Sequence, residues 1–127
     1  MTEVNSAPRG TLTTRNWAMP ADTNPSGDIF GGWVISQMDI AGAIAAGERA
    51  GGRVVTVAVD AMSFISPVKV GDVLCVYTLT KRVGTSSVAI DIEAWSQRNH
   101  SAETVKVTSG HFVYVALADD GAPRKIQ

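Results

Sequence analysis

The chain has 127 residues, 45% hydrophobic and 18% charged, with 11 Lys and Arg against 12 Asp and Glu for a net charge of -1. A single domain of that length hides about two-thirds of the surface its unfolded chain exposes, and a charge this close to zero excludes any general attraction to nucleic acid or an anionic membrane. So few charges on a small domain imply that a partner chain covers some apolar surface, and a lone cysteine, Cys75, excludes an intrachain disulfide and points to a reducing, cytoplasmic setting.

Residues 1–10, Met-Thr-Glu-Val-Asn-Ser-Ala-Pro-Arg-Gly, contain no apolar run of the kind a secretory signal needs and read as a flexible polar arm. One domain is expected over residues 11–120, followed by a short basic tail over 121–127. Leu12 to Trp17 reads as a first strand, Met19-Pro20 closes it, and the polar loop Asp22 to Asp28 leads to a helix. From Trp33 to Ala46 the polar exceptions are Ser36, Gln37 and Asp39, and the helix stops after Arg49 at Gly51-Gly52. Having no polar face, it is expected to be buried on every side, and it is too short and too rich in alanine and glycine to span a membrane.

The run from Arg53 to Ile65 is β-branched and apolar on both faces, which predicts a long strand that is central or at an interface and pairs edge to edge with its copy. Pro67 and Gly71 break the chain before the next strand, Val73 to Arg82, where Cys75 reads as core. Val83-Gly84-Thr85-Ser86 reverses it into Ser87 to Ser96, with Val88, Ile90, Ile92 and Ala94 inward and Asp91, Glu93 and Trp95 toward solvent. The last strand runs from about Glu103 to Ala118. The expected class is α+β, a curved antiparallel sheet wrapped around one long helix.

Two features of the helix carry chemistry. Asp39 has no Lys or Arg within a turn, so its carboxylate is either satisfied by a tertiary partner or is a site residue, usable as a general base or nucleophile. Gly31 and Gly32 at the helix start leave backbone N–H groups that a phosphate or a developing oxyanion can approach, unless Asp28 or Ser26 merely caps the helix there. Gly32 and Asp39 are seven residues apart, about 10 Å along one helix axis, whereas a reacting carbonyl needs base and oxyanion donor each at roughly 3 Å. If both are catalytic, one must come from another copy of the chain. His100 and His111 lie far from this stretch and do not suggest a metal site or triad.

The runs Ala18 to Asn24, Gly27 to Trp33 and Ser36 to Asp39, continuing through Arg53 to Val57, Val70-Gly71-Asp72 and Val83 to Ser87, resemble the hotdog-fold acyl-coenzyme A thioesterases of the YciA kind. The resemblance implies hydrolysis of acyl-CoA to free acid and CoA, a place in fatty acid metabolism, and an assembly of homodimers, commonly a trimer of dimers. It assigns Asp39 as base or nucleophile, Asp28 as the loop residue that meets it across the dimer, and the Gly32 N–H as oxyanion donor. Asn24, Phe30 and Gly31 fall among the substrate contacts, Phe30 standing where many relatives carry His. No metal or cofactor is implied, coenzyme A being part of substrate and product. Met62 and Phe64 suit an acyl or pantetheine path, and Lys81, Arg82, Thr85, Ser86 and Ser87 suit the nucleotide phosphates. The alternatives are a hotdog dehydratase of 3-hydroxyacyl thioesters, which would need a histidine near the helix, and a non-catalytic acyl-CoA binding module, which would not need Asp39.

Overall fold

The computed structural model describes residues 7–127. Most of the expected polar arm lies outside the described residues. Among the described residues five antiparallel strands, β1 (Thr11–Trp17), β2 (Val54–Val59), β3 (Val73–Val83), β4 (Ser87–Gln97) and β5 (Thr104–Ala116), form one sheet in the order β1-β3-β4-β5-β2, and one α-helix, α1 (Gly31–Ala50), lies on one face of it. Among the described residues no helix is long and apolar enough to cross a membrane.

The core forms where Val34, Met38, Ala41, Gly42 and Ala46 of α1 meet the inward side chains of the sheet, Val88, Ile90, Ile92 and Ala94 of β4 with Phe112 and Tyr114 of β5. Gly51, at φ +73°, ends the helix by donating its N–H to the Gly47 carbonyl, a left-handed turn that glycine makes without strain. Arg124 then donates to the Ala50 carbonyl at 2.6 Å, and Ile126 is buried, so the basic tail is fastened over the end of α1.

Three expectations need correction. The helix is not buried on every side: an open sheet covers one face only, leaving Ile40 and Ile44 48% and 44% exposed. The strand expected over 53–65 is regular only from Val54 to Val59; of the two placements expected for it, central or at an interface edge, it takes the edge of the sheet beside β5, with a register shift between Thr56 and Ala58. Beyond it, only the Asp60 and Ile65 N–H groups still reach β5 carbonyls, while Met62 sits against Gly110. The outward face of β4 is not solvated either. Glu93 and Trp95 are buried, Trp95 Nε1 donating to Glu93 Oε1 at 2.9 Å, with Arg9 and Lys106 paired to the same carboxylate.

Asp72 ties the segment between β2 and β3 to the sheet. Its Oδ2 accepts from the Lys69 N–H at 2.9 Å, the Ser96 hydroxyl at 2.7 Å and Arg98 Nη1 at 2.6 Å, and Arg98 also reaches the Pro67 carbonyl. Burial alone would push this carboxyl up, but those donors together outweigh it and hold it below the usual carboxylate range. The knot matters to the helix start because the Val68 carbonyl accepts the Ile29 N–H and Lys69 pairs with Asp28.

Asp72→Ala should lower unfolding free energy by about 3 kcal/mol, because Arg98 and Ser96 lose their buried acceptor. With the folded-state pKa below the unfolded value of 3.8, the Asp72 contribution is complete above that value and is lost as pH falls through the lower one. Urea titrations from neutral to acid pH should therefore show a smaller gap between variant and parent as the solution is acidified.

Candidate active site

Asp39 lies in the third turn of α1, half-buried, on the side facing the β2–β5 pair. Thr56 and Tyr114 are directly paired across those strands, so both hydroxyls emerge on one face of the sheet, toward the helix. Both converge on the same carboxylate oxygen. The Thr56 hydroxyl donates to Asp39 Oδ1 at 2.7 Å, and the Tyr114 hydroxyl lies 3.0 Å from Oδ1 and 3.0 Å from the Asp39 carbonyl oxygen. Among the described residues Oδ2 has no protein donor and no cation pairs with Asp39. Among the described residues Thr14 Oγ1 is the one buried side-chain oxygen or nitrogen lacking a partner, so Oδ2 is open to solvent.

Gly42 makes room for the tyrosine. A Cβ there would come within 2.6 Å of Ile92 Cδ1 and 2.8 Å of Tyr114 Cζ, and closer still to the phenolic oxygen. Burial, then the neighbouring Asp39 carboxylate, push the Tyr114 phenol far above its ordinary value, which keeps it a proton donor.

The helix start is open. Phe30 precedes it and has no side chain able to cap, and neither Asp28 nor Ser26 makes a capping hydrogen bond; their N–H groups donate to Asn24 Oδ1 at 3.1 and 2.9 Å, and the Asp28 carboxylate pairs with Lys69 at 2.9 Å. Among the described residues the Gly31 and Gly32 N–H groups meet no acceptor. Nothing lies within 4 Å of a Cβ built on Gly32, whereas one on Gly31 would touch the Phe64 ring at 3.5 Å. Beside Gly31 a cavity of about 360 Å³ is lined by Ile29, Val34, Phe64, Ile65, Val68 and Val107, an apolar set suited to hydrocarbon.

One subunit brings Asn24, Asp28, Phe30, Gly31, Gly32 and Phe64 together at the helix start, and Met62 lies further along β5. It does not bring Asp39 to Gly32, since both lie on α1 about 10 Å apart along its axis. Nor does it bring the β3–β4 hairpin there. Lys81, Arg82 and Thr85 are exposed, but Thr85 and Ser86 accept from Ile126 and Ala116 at the end of the sheet where α1 finishes. His111 is bonded to Asp91 at 2.8 Å, beyond the sheet from α1. Sequence reasoning missed Thr56, Tyr114 and Gly42. A signal existed for the first: Thr56 is the one hydroxyl in the run Val54 to Val59.

A helix laid across a five-stranded antiparallel sheet, with a hydroxyl-held carboxylate facing the sheet and an open glycine turn at the helix start, defines the class of hotdog thioester enzymes. The model of a family described as the Thioesterase superfamily matches residues 26–103. The acyl-CoA thioester hydrolase YciA of Salmonella typhimurium is 51% identical, over 99% of this chain and 97% of its own. The structure is similar to that of a hexameric thioesterase from Yersinia pestis, with a TM-score of 0.91 and 52% identity over 95% of this chain and 98% of that one. It is also similar to a hexameric hotdog fold thioesterase of Campylobacter jejuni, with a TM-score of 0.87 and 41% identity over 93% of this chain and 91% of that one. The chain therefore belongs to the thioesterase superfamily, in its hotdog-fold, YciA-like branch.

Gly42→Ala should destabilise the fold by about 2 kcal/mol through overpacking, although alanine is ordinarily the better helix former. Thermal denaturation checks the sign: a rise in Tm would mean that the space under Tyr114 is not needed.

Proposed function

We infer that the chain hydrolyses acyl-CoA to a free acid and coenzyme A in a site shared between two copies. The observation that carries this reading is Asp39 itself, a carboxylate inside an apolar helix that is held by two hydroxyls on Oδ1 and by no cation, with Oδ2 open. The relatives named acyl-CoA thioester hydrolase support the substrate class.

As general base, Asp39 Oδ2 takes a proton from water while the water oxygen attacks the thioester carbonyl carbon. Negative charge gathers on the carbonyl oxygen, where the Gly32 N–H of the second copy donates to it; the tetrahedral adduct then collapses, the C–S bond breaks, and the proton returns to the departing thiolate. As nucleophile, the same oxygen attacks the carbon directly and the C–S bond breaks, releasing the thiolate of coenzyme A and leaving an anhydride; water then opens the anhydride, regenerating the Asp39 carboxylate, releasing the acid and supplying the proton that the thiolate takes up. Both routes use the same atoms of this chain. A single turnover in oxygen-18 water tests the second route: label in Asp39 establishes an anhydride opened at its aspartyl carbonyl, whereas label in the acid alone is common to direct hydrolysis and to an anhydride opened at its acyl carbonyl.

The second copy is expected to cover the exposed Ile40 and Ile44 together with Val55, Val57 and Val59 at the β2 edge, and hexamers among the structural neighbours support a trimer of such dimers. Asp28 is proposed to meet Asp39 across that contact. Asn24, Phe30 and Gly31 frame the thioester. The apolar cavity with Phe64, and Met62 beyond it, takes the acyl or pantetheine chain, and Lys81, Arg82, Thr85, Ser86 and Ser87 take the nucleotide phosphates. A dehydratase is disfavoured, since His111 is engaged by Asp91 and His100 lies in the turn after β4, neither beside α1.

Asp39→Ala should abolish thiol release from acyl-CoA, followed with a thiol reagent, while calorimetry still detects acyl-CoA binding; undiminished thiol release would refute the assignment. Gly32→Pro, which removes the Gly32 N–H within the first helical turn, should be inactive alone. Mixed oligomers of the two variants should recover activity, because one site of each mixed dimer then holds an intact carboxylate and an intact donor. No recovery would mean that the site is not shared.

A further inference from the structure

The geometry points to Tyr114 as a positioning residue that fixes which Asp39 oxygen reacts, tethering Oδ1 so that Oδ2 alone faces substrate. The inference rests on the hydrolase reading above and goes beyond it. A free carboxylate on a helix can flip about its terminal bond and present either oxygen. Here that freedom is removed from two sides at once: Thr56 and Tyr114, cross-strand neighbours on β2 and β5, both reach Oδ1, and Tyr114 also lies 3.0 Å from the Asp39 backbone carbonyl. Contact with both the side chain and the main chain of one residue locks the phenol to that turn of α1, fixing the side-chain torsions as well as the oxygen.

The lock is built into the core. Tyr114 is fully buried, its ring is stacked with Phe112 at 6.4 Å, and its hydroxyl occupies the space that the missing side chain of Gly42, three residues after Asp39, leaves free. A buried hydroxyl needs a partner, but a phenylalanine would satisfy the packing alone. Among the described residues, the groups facing Asp39 are the Thr56 hydroxyl from β2 and the Tyr114 phenol from β5; no Lys, Arg or His on these elements pairs with it. Because burial and Asp39 push the phenol up, it keeps its proton at any pH at which the enzyme would work.

The test is Tyr114→Phe in the intact oligomer. We expect kcat to fall about tenfold, the worth of one hydrogen bond to a charged group, with KM changed less than about twofold. The acid limb of the kcat/KM profile should move to higher pH, because the ionised carboxylate loses a donor. A purely structural role would lower Tm and leave that limb in place, which would overturn the proposal, as would wild-type kinetics. Should Tyr114→Phe fail to fold, 3-fluorotyrosine supplies a second test. Tyr77 and Tyr114 are the two tyrosines of the chain, so Tyr77→Phe leaves one site of labelling. The more acidic phenol is a stronger donor and should move the acid limb to lower pH; an unmoved limb overturns the proposal. Asp39→Asn distinguishes the two failures. If it is inactive while Tyr114→Phe behaves as wild type, only the positioning role falls; if it is active, the reading of the site falls.

Discussion

The structure turns on how one carboxylate is accommodated in an apolar helix. Asp39 needs hydrogen-bond donors, and a Lys or Arg placed against it would neutralise it and occupy its oxygens. The fold supplies two hydroxyls from a single cross-strand pair, which satisfy one oxygen and leave the charge in place. That solution dictates much around it: the β2–β5 register must set Thr56 opposite Tyr114, and Gly42 must lack a side chain so that α1 can approach the phenol.

A second constraint concerns the other end of α1. Its first N–H groups stay available only because the preceding loop is held by other means. Asn24 organises that loop from within, Lys69 pairs with Asp28, and the Asp72 knot anchors the segment that carries Lys69. A loop residue that capped the helix would have closed the position at which the developing oxyanion is proposed to bind. The surface ion pair contributes little stability itself, its ends being half exposed. Its consequence is local, since it engages the Asp28 carboxylate, which makes no cap on the helix start.

The single chain leaves apolar surface uncovered. Its sheet covers one side of α1, while Ile40, Ile44 and the β2 edge valines remain bare, and the two chemical features on α1 are too far apart to act on one bond. The arrangement of two copies proposed above would account for both the apolar surface and the separated groups. The low charge of the chain had already pointed to covered surface, and the hexameric neighbours fit it.

The sequence by itself determined the helix, its glycine stop, the five strands, the inward register of β4 and the oddity of Asp39, because each is a local matter of periodicity and turn chemistry. It did not reveal that β2 is short, that Glu93 and Trp95 are covered, or that Asp72 is a knot, since burial on a sheet's outer face and ion pairing between distant segments leave no periodic trace. Most of all, only the tertiary structure decided what holds Asp39. Thr56 and Tyr114 are 58 positions apart in the chain and meet through strand pairing, a register set by packing along two whole strands rather than by any local run of residues.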